Sequence, residues 1–183
     1  MSAMDFVLVA HAIIVGLAVA EILRGLADTL RAVDVRISYR LISIAGWALL
    51  LLWQLWWAMW QVGDRPEWTF PEYLIFLFPV AILYMIARLC FPEKISETDL
   101  QAYYLRIAPK LFVLVAITYA SFALLIQPFI FGAISPWVFA SQISMALLAI
   151  LASRFHAPAF QLIVIGAMVA QVIWRGLSSV IGS

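Results

Sequence analysis

Glu21, Arg24 and Asp28 stand three and four residues apart, the spacing that makes side chains neighbours on one helix surface. A carboxylate placed this way forms an ion pair or, where it reaches water, takes up and releases a proton or cation. Arg24 is the local group that neutralises Glu21, and Tyr84, Arg88 and Gln161 are expected to complete the network from other helices. A second group is polar without carrying charge. His11, Gln54, Gln142 and Gln171 lie in four separate apolar runs, each roughly five to eight residues from the same end of the bundle, so at ~1.5 Å per residue they share one depth. Trp53, Trp56, Trp57 and Trp60 form a helical-spaced stripe beside Gln54. Amides, an imidazole and aromatic faces are the components of a pocket for a small solute or a lipid. The same residues have simpler uses. Tryptophans near helix ends form an interfacial belt, glutamines join helices by hydrogen bonds, and a salt bridge fixes the rotation of its helix.

The elements that must hold these residues follow from composition. Hydrophobic residues make up 66% of the 183-residue chain and charged residues 11%, against about 45–50% and about 25% in a soluble domain. A spanning helix needs about 20 mostly apolar residues, and six runs qualify, at residues 5–27, 39–62, 71–90, 108–127, 136–153 and 158–180. Backbone polar groups have no water to bond at that depth, so the runs must be helices. The expected fold is all-α, a single polytopic transmembrane bundle over residues 1–183. Pro109, Pro136 and Pro158 each fall where a first helical turn begins, and Ser135 reads as an N-cap. Ser96 and Asp99 have the spacing of a capping box, which predicts a short interfacial helix from Glu97 to Ile107 in the third connector, with Leu100, Tyr103, Tyr104 and Ile107 on one side.

Nine of the eleven basic residues lie in or beside the first, third and fifth connectors, and only Arg65 and Arg175 fall on the other side. Basic residues are retained in the cytoplasm, so both termini are expected outside. No cleavable signal is evident, and the first span is expected to serve as its own anchor. A net charge of +1, divided between two faces, points to no nucleic acid. Membrane lipids are the expected surroundings, with a homo-oligomer or a larger membrane complex as the protein partner. The single cysteine, Cys90, excludes an intrachain disulfide and reads as a packing residue. No metal-site spacing, phosphate-cradling glycine loop, zinc-binding His-Glu-x-x-His or Gly-x-Ser-x-Gly turn is present. No lysine lies at membrane depth to form a retinal Schiff base, and His11 and His156 belong to opposite ends of the bundle, which disfavours paired haem ligation. No pattern specifies a cofactor, and an enzyme ranks behind a binding or accessory protein.

Two further features concern packing. Ala12, Gly16 and Ala20 recur every four residues, a spacing that lets another helix, internal or from another subunit, approach closely. Pro79 falls near the middle of the third span, where it kinks the helix or frees a carbonyl to line a cavity. The segments Ile14-Val15-Gly16-Leu17-Ala18, Glu21-Ile22-Leu23-Arg24-Gly25-Leu26, Trp56-Trp57-Ala58-Met59-Trp60 and Asp99-Leu100-x-x-Tyr103-Tyr104-x-Arg106 resemble a family of small six-span bacterial proteins without an assigned activity. The resemblance covers the first two thirds of the chain, departs from the family pattern at Ile107-Ala108-Pro109-Lys110, and implies residence in a bacterial inner membrane. Size and span count are also similar to the substrate-binding subunits of energy-coupling-factor transporters, whose cytoplasmic termini differ from the orientation expected here. Two functions follow: a protein that binds or permeates a small solute, lipid or ion, or an accessory subunit that packs into a larger assembly.

Overall fold

The computed structural model describes residues 3–32, 35–62, 68–95, 99–132 and 134–181. Its helices are α1 (Ala3–Arg31), α2 (Tyr39–Val62), α3 (Phe70–Cys90), α4 (Leu100–Ser121), α5 (Pro136–Arg154) and α6 (Pro158–Ile181), with α4 running on through a π-helical segment, Phe122–Ile130. Six of these helical rods are long and apolar enough to cross a membrane. Packing closes a ring in the order α1, α3, α4, α5, α6 and α2, and α2 also touches α3 and α4 across it. The helices alternate in direction. Contacts at one end join Gly25, late in α1, to Phe91 after α3, and Arg40, early in α2, to Gln161, early in α6.

Each helix buries one stripe inside this ring. On α2, Leu41, Ile44, Ala45, Ala48, Leu51 and Leu52 are buried at intervals of three and four, the periodicity of one helical face. Their partners include Val15, Ala18 and Ile22 on α1 and Val80, Leu83 and Ile86 on α3. Cys90 belongs to the same core. The outside is equally apolar: Ile13, Leu17, Phe78, Met85, Val113, Leu147 and Ile163 are exposed on five different helices. Contiguous apolar surface on that scale is covered by something other than water. With six spanning rods, it defines a multi-pass membrane protein.

The third connector differs from expectation. Asp99 is the N-cap, its carboxylate accepting from the backbone N–H groups of Gln101 and Ala102 at 2.8 and 3.0 Å. Ser96 and Glu97 lie outside the described residues. From Leu100 the helix continues without a break through Pro109 into the fourth span, so no separate interfacial helix exists there among the described residues. Leu100, Tyr104, Ile107, Ala108, Leu111, Phe112 and Val115 are all buried. They form one continuous stripe, and a break at Pro109 would rotate half of it away from the core. Proline is tolerated because neighbouring helices take over the packing around it. Pro136 and Pro158 do begin α5 and α6, and Ser135 occupies the N-cap of α5 without a side-chain cap bond.

The fourth span also ends later than residue 127. Pro128 lies within the π-helical segment, whose wider turn accommodates a residue without an N–H, and Phe131 N–H bonds the Ile126 carbonyl at 3.2 Å across the wide turn. Gly132 at φ 65° then stops the helix, in the left-handed conformation that costs glycine little. At its other end, α3 begins with a capping box between Thr69 and Glu72, the Thr69 N–H donating to the Glu72 carboxylate at 2.9 Å.

Of the small-residue stripe, Gly16 and Ala20 are exposed and Ala12 is half-buried. A Cβ built on Gly16 meets nothing within 4 Å, so the stripe holds no internal helix and lies on the bundle's outer surface. The tight glycine is Gly25. A Cβ there would overlap the Phe91 side chain at its ring and at its own Cβ, and Phe91 is itself buried.

Candidate functional site

The charged triplet of α1, Glu21, Arg24 and Asp28, forms a surface network. Arg24 donates to the Glu21 carboxylate at 2.7 Å and lies 3.5 Å from Asp28, and Arg31 reaches Asp28 at 3.9 Å. Arg88 on α3 approaches Glu21 at 3.4 Å and also pairs with Glu93. Arg88 thus joins the network as expected. Gln161 does not: it accepts from Arg40 at 3.0 Å and from the Tyr104 hydroxyl at 2.8 Å, and donates to the Ala152 carbonyl at 3.1 Å. No hydrogen bond places Tyr84 in the Glu21 network among the described residues; it packs at the edge of the core. The reason is helix rotation. Glu21 lies on the side of α1 that faces outward beside α3, where its side chain is 24% exposed, while Gln161 points into the ring. Exposed ion pairs are worth ~0.2–1 kcal/mol. Glu21→Gln and Arg24→Gln are each expected to shift unfolding stability in detergent by ~1 kcal/mol or less. A loss above ~3 kcal/mol would identify a desolvated pair instead.

A cavity of about 170 Å³ occupies the opposite half of the bundle, lined by residues of all six helices. His11 comes from α1, Gln54 and Trp57 from α2, Phe76 and Pro79 from α3, Tyr119 and Phe122 from α4 and its extension, Gln142 from α5, and Gln171 and Arg175 from α6. Six residues singled out in the sequence, His11, Gln54, Trp57, Pro79, Gln142 and Gln171, are thereby brought together. Trp53 is not among them. It is exposed on the outer surface, as are Trp56 and Trp57, and Trp57 meets the cavity only at its rim. Glu21, Arg24 and Asp28 line no part of this cavity.

Several polar groups around the cavity are held by the protein. Gln54 donates to the Val172 carbonyl at 3.4 Å, Gln171 donates to the Ser141 hydroxyl at 3.2 Å, and Trp47 donates its indole N–H to the Tyr119 oxygen at 3.2 Å. Others are not. Both ring nitrogens of His11, Oε1 of Gln142 and Oε1 of Gln171 are buried without a hydrogen-bond partner. His11 is 1% and Gln142 2% exposed, and the His11 ring lies 4.7 Å from that of Phe76. Buried polar groups in native proteins are satisfied with few exceptions, and leaving one unsatisfied costs ~1–3 kcal/mol. Four orphan atoms on three residues around one cavity are therefore complementary to a polar molecule, not to the packed core alone.

Tyr119 and Arg175 were not singled out in the sequence. Arg175 counted only as an external charge, although it lies about 9 Å inside the end of α6 by helical rise, close enough to Tyr119 for the two to interact electrostatically. An arginine so far from a helix end is the signal that could have found it. No group of three or more His, Cys, Asp or Glu side chains converges as a metal site among the described residues. The fold and the cavity define a polytopic α-helical membrane protein with an intramembrane chamber near one face. No protein-family model, curated protein or solved structure matches the chain.

Proposed function

We propose that this protein binds a small, largely apolar molecule with polar substituents in the chamber between its six helices. The observation that carries the reading is the set of unpartnered buried atoms on His11, Gln142 and Gln171 around a cavity with aromatic walls. Small-molecule sites have this composition, with apolar walls and a few placed polar groups. The basic-residue bias of the odd-numbered connectors supports a chamber in the outer half of the membrane, where a solute would enter from outside, and the resemblance carried by the first two thirds of the chain supports residence in a bacterial inner membrane. Binding ranks ahead of an accessory role because four of the six unpartnered buried polar atoms among the described residues gather around this one cavity, with only Ser38 Oγ and Gln127 Nε2 elsewhere.

Gln142→Met and His11→Phe test this by the sign of their effect. Both keep the approximate shape, and the second keeps the ring beside Phe76. In ligand-free protein each is expected to raise stability by ~1–3 kcal/mol, because an unsatisfied polar group is removed. The same variants are expected to lose any small molecule that co-purifies with the wild type, read by native mass spectrometry. Lower stability in both variants, with no bound molecule in the wild type, would make these residues ordinary core and sink the reading.

A further inference from the structure

Resting on that reading, we infer that the chamber selects an uncharged single-ring aromatic carboxamide, its amide set against those of Gln142 and Gln171. Size comes first. A cavity of ~150 Å³ holds benzene, so about 170 Å³ accepts one ring with a small substituent. Phe76 and Phe122 give it aromatic walls. Charge then narrows the class. Among the described residues no aspartate, glutamate or lysine lines the chamber, and Arg175, its one permanently charged lining residue, is already engaged within the protein. An ionised ligand would lose its water without meeting an open counter-charge, which costs far more than moving a neutral polar group.

The hydrogen-bonding pattern picks the substituent. Ser141 donates its hydroxyl proton to the Val138 carbonyl at 2.8 Å, so toward Gln171 it can only accept. That assigns Nε2 of Gln171 to Ser141, at 3.2 Å, and leaves Oε1 as a fixed acceptor without a donor. Gln142 follows Ser141 in α5, so the second amide stands beside the first. Its Oε1 is equally unmet, and no hydrogen bond holds its Nε2 among the described residues. Gln142 therefore offers an acceptor and a donor side by side in one plane. A primary carboxamide is the complement: one N–H and the carbonyl pair with Gln142, and the second N–H is left for Gln171. A ketone or a carboxylate of the same shape has no donor for either oxygen. His11 discriminates less, since a neutral imidazole is a donor at one nitrogen and an acceptor at the other.

The test uses benzamide, acetophenone and benzoate, which share one shape and differ in carrying two N–H donors, none, or a negative charge without donors. Each is titrated calorimetrically into the full-length protein in phosphatidylcholine nanodiscs at neutral pH, with empty nanodiscs subtracted. Benzamide is expected to bind at least about tenfold more tightly than either of the others, since each of them leaves two buried acceptors unmet. Gln142→Met and Gln171→Met are each expected to weaken benzamide by about fivefold or more and to leave acetophenone within about twofold, in protein that keeps its helical circular dichroism. The wild-type ranking decides alone if a variant fails to fold. Equal or tighter binding of acetophenone or benzoate would overturn the carboxamide selectivity while leaving a ligand chamber in place, as would benzamide binding that neither folded variant weakens. Binding of none of the three would overturn the inference. In that event a co-purifying molecule lost in Gln142→Met would still uphold the broader reading, and its absence would end both.

Discussion

Gln161→Leu is expected to cost about 3–5 kcal/mol of unfolding stability, since it removes a hydrogen bond to a buried charge, worth ~1.5–3 kcal/mol, and leaves further buried polar groups unpaired at ~1–3 kcal/mol. Arg40 is 7% exposed and has no carboxylate against it among the described residues. Its guanidinium donates to Gln161 Oε1 at 3.0 Å and lies 4.6 Å from the centre of the Tyr104 ring. The same oxygen takes the Tyr104 hydroxyl at 2.8 Å, and the amide nitrogen of Gln161 binds the Ala152 carbonyl at 3.1 Å. One side chain thus ties α2, α4, α5 and α6 together. Leucine fills the space but leaves a buried cation held by a ring alone, at ~2 kcal/mol or less, together with an unpaired hydroxyl and carbonyl. Arg40→Met combined with Gln161→Leu should recover part of the loss, because no stranded charge then remains. Unfolding titrations in detergent measure each variant. A loss under ~1 kcal/mol for Gln161→Leu would mean that Arg40 finds water or lipid headgroups in place of the amide.

Depth was legible in the sequence and helix rotation was not. The bilayer fixes the length of every span, so counting residues inward from a run's end converts directly into distance from the membrane face. That is why His11, Gln54, Gln142 and Gln171 could be assigned a common layer from their positions alone, and all four line one chamber. Rotation about the helix axis is a different quantity. In a soluble helix the polar face marks the outside, but here both faces are apolar, and nothing in Trp53 and Gln54 says that the second reaches the chamber while the first is left outside. Gln161 was paired with Glu21 on depth and parted from it by rotation. Pro109 misled for a related reason. A proline can open a span or sit within one, and only the buried stripe from Leu100 to Val115 shows which. The Thr69–Glu72 box, by contrast, was open to view as Thr-x-x-Glu before an apolar run.

The glycines of α1 give the sharpest case of that missing rotation, and Gly25→Leu the clearest expected result. Gly16 has the small-residue spacing, yet its α-carbon faces outward with open space beyond it. Gly25 belongs to no such stripe, but it is the point where α1 meets the end of α3: a Cβ there would collide with the Phe91 ring and with the base of that side chain. The ring, Cγ included, can swing aside by rotation about the Cα–Cβ bond, whereas Cβ moves only with the backbone. Phe91 is buried, so the backbone shift must propagate into the core. Overpacking costs ~1–3 kcal/mol and occasionally more; with a four-carbon side chain added at this contact, Gly25→Leu is expected to lose about 3 kcal/mol or fail to fold. Gly16→Leu in the isolated bundle should be neutral or stabilising by up to ~1 kcal/mol, since leucine is the better helix former. Phe91→Ala offers an internal check that survives a misfolded single variant. If the collision is with Phe91, Gly25→Leu in the Phe91→Ala background should cost at least ~1 kcal/mol less than in the wild type, a coupling within the range for residues in contact. Additive effects of the two changes would place the obstruction elsewhere. A destabilised Gly16→Leu bundle, measured as a monomer, would put the close helix approach back at position 16.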